Sequence, residues 1–442
     1  MIEICAVGGY NDVGKNCTAV KIDDEVIIFD LGLHLESYIK FTQDEDIVNV
    51  SGKQLMKVGA VPNIETIKDW KEKIKAIIVG HAHLDHVGAV PYLADYLKAP
   101  IICTPYTTSV IEEILKEEKI NIKNKIKTLS SNSSYKVSDK ITIEFIHVTH
   151  SIPQTVIIAV HTKYGIILYA NDFKFDLYPT LGKKPNFKRL EEIGKENVIA
   201  LIVESTYASD ARKMPSESVA KEMLKDVLLG VRSNDKAILV TTFSSHLARL
   251  KSIIEFGKKL NRKILFLGRS LSKYVKAGEN IGIINFTRDV ELIKYSRQIK
   301  RKLKKINNEK EKYLLVVTGH QGEPKSVLAK IANKEFDFGL SEGDHVVFSC
   351  RVIPTPTNME NREKLEKNLK SFHVRIFKDI HQSGHAARED LRDLINLIKP
   401  RKIIPSHGNR DMKKALMDLA GEMGYKTNKS IFIIKDGERL EL

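Results

Sequence analysis

Six consecutive residues, His81-Ala-His-Leu-Asp-His86, carry three imidazoles and one carboxylate. Neutral imidazole nitrogens and carboxylate oxygens are the donors that borderline divalent metals such as Zn2+ take. Four ligand-type side chains in one turn suffice to serve two neighbouring ions. A single histidine is ordinarily a hydrogen-bonded core or surface group; this cluster asks for a shared cavity. Two cations about 3.5–4 Å apart lower the pKa of a shared water and stabilise charge on an in-line phosphoryl transition state. The chemistry in view is therefore hydrolytic.

Such a turn needs rigid elements on either side. Lys75-Ala-Ile-Ile-Val-Gly80 reads as a buried strand, and residues 87–97 carry an apolar helical pattern. A dinuclear site takes about seven protein ligands with one carboxylate bridging, so further donors are expected at other strand ends. His150 follows the strand-like Phe145-Ile-His-Val-Thr and precedes Ser-Ile-Pro. Asp172 ends the run from Gly165, His407 follows Lys402-Ile-Ile-Pro-Ser, and Asp30 ends Val26-Ile-Ile-Phe. Strands are predicted at 2–7, 26–30, 76–79, 141–147, 156–161, 166–170 and 199–204, with helices near 67–73, 87–97 and 106–118. From about residue 205 to 372 the pattern becomes regular strand–helix repeats, which predicts a doubly wound unit inserted into the first domain. The domains expected are 1–205, 206–372 and a return segment, 373–442, with His381, His385 and His407 on its loops.

Bulk properties set the frame. The chain has 442 residues, 42% of them hydrophobic, enough for two or three folded domains. No apolar stretch reaches the roughly 18 residues that span a bilayer, and the N-terminus shows no signal-peptide pattern; a cytoplasmic protein without a membrane partner is expected. Cys5, Cys17, Cys103 and Cys350 form no CxxC pair and read as small core residues. The net charge of +15 favours a polyanionic partner or reflects a lysine-rich composition. The basic run Arg297-Gln-Ile-Lys-Arg-Lys-Leu-Lys-Lys305 reads as a solvated helix, with a nucleic-acid contact as the alternative.

In chain order, Asp30, the His81–His86 turn, His150, Asp172 and His407 resemble the metallo-β-lactamase superfold. The resemblance implies an αββα sandwich in which His81, His83 and His150 hold one metal, Asp85, His86 and His407 hold a second, and Asp172 bridges them. Asp30 would then orient a ligand histidine from behind. Two Zn2+ per subunit are implied, with Mn2+ as a substitute. That fold hosts many hydrolases, and the inserted segment is more selective. Val203-Glu-Ser-Thr-Tyr207, His385 within His381-Gln-Ser-Gly-His-Ala-Ala387, and His407 within Pro405-Ser-His-Gly408 resemble three motifs of the β-CASP nucleases. Histidine at the third motif is the pattern of RNA-acting members. Thr241-Thr-Phe-Ser-Ser-His-Leu-Ala-Arg249, Gly268-Arg-Ser-Leu271 and Thr318-Gly-His-Gln-Gly-Glu-Pro324 further resemble the shorter, archaeal branch of the ribonuclease J family. Glu204 stands where bacterial members have Asp, and Ala387 where they have Ser.

The family implies a 5′→3′ exonuclease on single-stranded RNA that prefers a 5′-monophosphate and releases nucleoside 5′-monophosphates, in RNA decay and processing. Asp85, His385 and Glu204 are the expected catalytic residues, His385 protonating the leaving 3′-oxygen. The 5′-phosphate would be caught around Ser383, Gly384, His385 and Ala386 and by Ser244, Ser245 or His246, with RNA threading between the domains. Arg249 and Arg269 read either as phosphate contacts or as structural ion pairs. A homodimer and RNA-decay partners are implied. The alternatives are an endoribonuclease of the RNA 3′-end-processing type and a non-catalytic RNA-binding subunit.

Overall fold

The computed structural model describes residues 1–44 and 50–442. The chain divides into two units, Met1–Leu177 with Gly182–Met214 and Gly384–Leu442, and Tyr178–Leu181 with Pro215–Ser383. These divisions lie later than the expected ones after residues 205 and 372. Residues just past Glu204 stay in the first unit because Ser205 Oγ donates to Ser406 O (2.8 Å) and the Met214 amide to Asp390 Oδ2 (2.8 Å). Residues 375–377 stay in the second because the strand Arg375–Phe377 pairs in parallel with His345–Phe348.

In the first unit two sheets stack. One runs in the order Arg439–Glu441, Ile2–Gly8, Cys17–Ile22, Glu25–Phe29, Ile74–Ile78, Ile101–Cys103, Ile126–Thr128. The other runs Ile403–Ser406, Val198–Glu204, Gly165–Ala170, Val156–Thr162, Thr142–His147, Ser133–Lys136. Alternate side chains meet in one apolar layer: Ile4, Val20, Phe29 and Ile78 against Phe145, Ile158, Tyr169 and Ile202. The Phe29 and Tyr169 rings stack at 4.5 Å. The other face of the second sheet packs Ile146, Leu168 and Leu201 beneath the helices Phe187–Ile193, Arg388–Ile398 and Arg410–Glu422. The helices Val90–Leu97 and Pro105–Glu118 each bury one apolar face. This is the αββα sandwich.

Strand direction explains where the chemistry goes. Gly165–Ala170, Val198–Glu204 and Ile403–Ser406 are mutually parallel, and Thr142–His147, two antiparallel steps away, runs the same way. Their C-terminal ends deliver His150, Asp172, Glu204 and His407 to one edge. In the other sheet Glu25–Phe29 and Ile74–Ile78 are parallel and bring Asp30 and His81 to matching ends. The helix expected over 87–97 is instead two, Leu84–Val87 and Val90–Leu97, broken at Gly88 and Ala89. Asp85 and His86 therefore sit on a helical turn rather than a loop.

The second unit is a parallel sheet ordered Val290–Ile293, Lys263–Leu267, Tyr313–Val317, Ile238–Thr241, His345–Phe348, Arg375–Phe377. Its core includes Leu239, Leu265, Leu315, Val346 and Phe348. Fully buried Arg249 lies in this unit. Its guanidinium forms a two-pronged pair with Glu217 (2.6 and 2.8 Å) and donates to Ser349 O, Ser349 Oγ and Ile380 O. Burial works against the Glu217 carboxylate, but Arg249 and His246 hold its pKa well below the usual range. Arg249 is thus a structural ion pair and not a phosphate contact, since every prong of its fork is spent on protein. His246, another expected RNA contact, is also structural: it is buried, accepts the Arg249 amide hydrogen at Nδ1 (3.3 Å) and lies 3.3 Å from Glu217 through Nε2. His381 stands against the same guanidinium, its Nδ1 3.5 Å from Arg249 Nη1.

Removing one partner of a buried pair strands the other charge, at a cost of about 3–5 kcal/mol. Arg249→Met should lower the unfolding free energy in urea by that amount, and adding Glu217→Gln should restore part of it. Unchanged stability with weakened RNA binding would return Arg249 to the phosphate-contact reading.

Candidate metal centre

The His81–His86 turn is clamped by backbone. Leu31 N–H donates to His86 O (2.8 Å), Leu33 N–H to Leu84 O (2.9 Å), Asn16 N–H to Asp85 O (3.0 Å) and Gly32 N–H to Asn16 O (2.9 Å). Gly32 is required here: a Cβ at this position would stand 1.7 Å from Asp85 O.

On this platform the seven predicted donors form two groups that share Asp172. His81, His83, His150 and Asp172 make one; Asp85, His86, His407 and Asp172 make the other; within each group the donor atoms lie within 4.8 Å of one another. In the first, His83 Nδ1 is 3.1 Å from His81 Nε2 and 3.0 Å from His150 Nε2, and Asp172 Oδ2 is 3.4 Å from His81 Nε2. In the second, Asp172 Oδ2 is 3.2 Å from His86 Nε2, Asp172 Oδ1 is 3.3 Å from His407 Nε2, and Asp85 Oδ2 is 3.6 Å from both imidazoles. A tetrahedral Zn2+ with bonds of about 2.0–2.1 Å has ligand-to-ligand edges of roughly 3.4 Å, which these separations match.

Tautomers point the same way. His86 Nδ1–H donates to Asp30 Oδ2 (2.7 Å), His150 Nδ1–H to Gly384 O (2.6 Å) and His407 Nδ1–H to Asn16 Oδ1 (2.8 Å). Each bond turns the Nε2 lone pair towards the centre. His407 Nε2 and Asp172 Oδ1 are buried without a hydrogen-bond partner, a state that ligation relieves. Burial drives His81, His83 and His150 well below their ordinary pKa, which keeps them neutral as ligands must be. At His86 burial is outweighed by Asp172, Asp30 and Asp85, which raise it well above; the same negative field draws a metal cation. Burial opposes ionisation of Asp172, yet His407 and His86 hold its pKa well below the carboxylate range.

Asp30 is not among the convergent donors. It accepts from His86, from the Gly80 amide (2.9 Å) and from Tyr169 OH (2.7 Å), all buried. A third group adjoins the bridge: His385 Nδ1 is 2.7 Å from Glu204 Oε2 and 3.8 Å from Asp172 Oδ1. Burial disfavours the His385 cation, but Glu204 and Asp172 push its pKa up to about 10.

The expected 5′-phosphate loop differs from the sequence reading. The Ala386 amide hydrogen turns to Glu204 Oε1 (3.4 Å), Ala386 is fully buried, and Gly384 supplies the carbonyl that holds His150. The Gly384 carbonyl and the Ala386 amide therefore orient site residues. Ser383, the last residue of the second unit, is buried. Within that unit Ser244 Oγ bonds Ser270 Oγ (2.8 Å) and Ser245 is buried, while Arg269 is exposed at the start of the helix Arg269–Asn280.

Asn16, Asn171 and Tyr169 were not singled out from sequence. Asn171 Nδ2 donates to Tyr169 OH (2.8 Å) and Asn171 Oδ1 accepts from Ser406 Oγ (2.5 Å). With Asn16 they form a buried polar layer behind the ligands. The tripeptide Lys15-Asn-Cys17 gives no hint of this; only its adjacency to the strand Cys17–Ile22 would have suggested it.

This fold with this donor set defines a metal-dependent hydrolase of the metallo-β-lactamase class, carrying an inserted β-CASP unit. Residues 10–172 match the metallo-beta-lactamase superfamily, residues 235–366 the family described as "Ribonuclease J, beta-CASP domain", and residues 373–430 the "Zn-dependent metallo-hydrolase RNA specificity domain". The chain is 41% identical to a ribonuclease J of Methanocaldococcus jannaschii, covering 99% of this chain and 98% of the relative. It is 41% identical to one of Pyrococcus abyssi (100% and 97%) and 31% identical to ribonuclease J 2 of Staphylococcus aureus (99% and 74%). The chain belongs to the ribonuclease J family and is a metal-dependent ribonuclease. A solved structure from Enterococcus faecalis V583, described as a protein of unknown function, shares the fold with a TM-score of 0.67 at 18% identity over 100% of both chains.

Partners behind a ligand histidine typically contribute about 10–100-fold in metal affinity. Asn16→Ala should lose that much Zn2+ affinity, measured by competition with a chromophoric chelator, while Asn16→Asp, which keeps the acceptor for His407, should hold the metal. Equal affinity in wild type and Asn16→Ala would remove Asn16 from the site.

Proposed function

We propose that this chain is a 5′→3′ exoribonuclease that holds two Zn2+ ions, replaceable by Mn2+, and degrades single-stranded RNA from a 5′-monophosphate end, releasing nucleoside 5′-monophosphates. The observation that carries the phosphodiester reading is His385 set beside Asp172 and oriented by Glu204. His81, His83, His150, Asp85, His86 and His407 would hold the ions, with Asp172 shared. Bound there, two metals supply an activated water and charge stabilisation at phosphorus.

The protein's own residues do the rest. Glu204 fixes the His385 ring through Nδ1, placing Nε2 on the side away from that carboxylate. Glu204, which the ring contacts directly, favours a proton on His385. As oxygen from water bonds to phosphorus and the bond from phosphorus to the 3′-oxygen breaks, that proton passes to the departing 3′-oxygen. The released nucleotide keeps its 5′-phosphate. Asp85, 29% exposed where His86 and His407 are wholly buried, is the carboxylate placed to orient the attacking water.

Selection of the 5′ end rests on the Ser244–Ser270 hydroxyl pair and Arg269, at the C-terminal edge of a parallel sheet, the usual location for ligands of doubly wound units. Arg269 presents a planar fork suited to phosphate. The resemblance to the family is what supports a homodimer working with RNA-decay partners in the cytoplasm.

The test uses one RNA with a labelled 5′ end bearing monophosphate, triphosphate or hydroxyl. Rapid release of labelled mononucleotide from the monophosphate alone supports the reading; longer labelled fragments regardless of the 5′ group would establish endonucleolytic cleavage instead. Arg269→Ala should narrow the monophosphate-to-hydroxyl preference about tenfold, the worth of one charged hydrogen bond. Equal loss on all three ends would exclude Arg269 as the reader.

A further inference from the structure

The helix Ser296–Ile306 carries a concentration of charge that the metal chemistry does not use. Its eleven residues hold six cations, Arg297, Lys300, Arg301, Lys302, Lys304 and Lys305, and no carboxylate, against a net +15 for the whole chain. Ile299, Leu303 and Ile306 face the core of the second unit, which fixes the helix and turns the cations outward. Lys302 pairs with Glu291 (2.5 Å), and Lys304 approaches Asp337 at 3.4 Å. Among the described residues, Arg297, Lys300, Arg301 and Lys305 have no carboxylate within ion-pair distance, and all four are exposed.

This arrangement works against the helix. Arg297–Arg301, Lys300–Lys304 and Arg301–Lys305 are like-charge neighbours four apart, each destabilising by about 0.2–0.5 kcal/mol. Arg297 also places a cation in the first turn, against the helix dipole. A merely solvated helix gains by interleaving Glu with Lys, as Lys259 does with Glu255 at 3.0 Å elsewhere in this unit. The repulsion disappears when an anion of matching spacing lies across the face. Side chains three and four apart on a helix are about 5–6 Å from each other, so the row presents several cations to successive phosphates. At its N-terminal end Tyr295 is 58% exposed, with Lys294 Nζ 5.7 Å from its ring centroid, an aromatic surface beside the charge. Basic rows next to an exposed ring are the elements that hold single-stranded nucleic acid, charge tracking the backbone and the ring stacking a base.

We propose that the Arg297–Lys305 face is an accessory binding site for single-stranded RNA, with Tyr295 stacking one base. This rests on RNA being the substrate. The site retains long RNA and has no part in hydrolysis.

The experiment compares wild type with the quadruple variant Arg297→Gln, Lys300→Gln, Arg301→Gln, Lys305→Gln. Gln keeps helix propensity close to that of Lys and Arg, so the unfolding midpoint should hold or rise. For a single strand, every phosphate left without its cation lowers the slope of log affinity against log salt by about 0.7. The variant should therefore bind a long unstructured RNA with a slope shallower by about 2–3, while its turnover of a tetranucleotide stays at the wild-type value. Tyr295→Ala should weaken long-RNA binding about tenfold. An unchanged slope would overturn the proposal, as would equal loss of tetranucleotide turnover. Loss of binding only to anionic lipid vesicles or to an acidic protein would overturn it too, and assign the face to those partners. Wild type that cleaves no RNA would sink the ribonuclease reading; wild type that cleaves RNA, with an unaltered variant slope, would sink this inference alone.

Discussion

The whole arrangement depends on one carboxylate. Asp172 lies within 3.2–3.4 Å of His81, His86 and His407 and is shared by both donor groups. A carboxylate 1% exposed is costly unless cations surround it. Six further donors converge on it from strand ends of one sheet and one turn of the other, which demands a fixed spacing between the two sheets. The stacked Phe29 and Tyr169 rings set part of that spacing, and Tyr169 then spends its hydroxyl on Asp30, which holds His86. Packing and metal chemistry here share the same side chains.

Backbone conformation is tied to this convergence. Asp30, Asp172 and His407 all adopt left-handed φ values, 59°, 63° and 50°. Each lies just past a strand, where the chain must turn sharply for the side chain to point along the edge rather than across the sheet. Such conformations cost energy in non-glycine residues and persist where the surroundings impose them. The clamp of Leu31, Leu33 and Asn16 on residues 84–86 supplies that restraint on one side.

What was readable from sequence follows from this. The ligand residues stood out because metal donors at the ends of apolar strands are a local pattern, and strand polarity then gathers them. Asn16, Asn171 and Tyr169 did not stand out, because an amide or phenol acquires meaning only from neighbours distant in sequence, such as Asn16 from His407. Arg249 stayed open between a phosphate contact and an ion pair for the opposite reason: it follows a Ser-Ser-His turn at a strand end, as phosphate ligands do, and burial against Glu217 cannot be seen in sequence. In the Ser383–Ala387 loop, that Glu204 occupies the Ala386 amide is likewise invisible in sequence. Domain limits shifted because a three-residue strand, Arg375–Phe377, is too short to show periodicity.

The central claim is that seven side chains, from strand ends of one sheet and one turn of the other, hold two ions across Asp172. Anomalous diffraction from crystals of the zinc-loaded protein, recorded on both sides of the zinc absorption edge, tests it directly. The account predicts two peaks, one bonded to His81, His83 and His150, the other to Asp85, His86 and His407, each about 2.0–2.2 Å from an Asp172 oxygen. A single peak, or a second that does not touch Asp172, would contradict it.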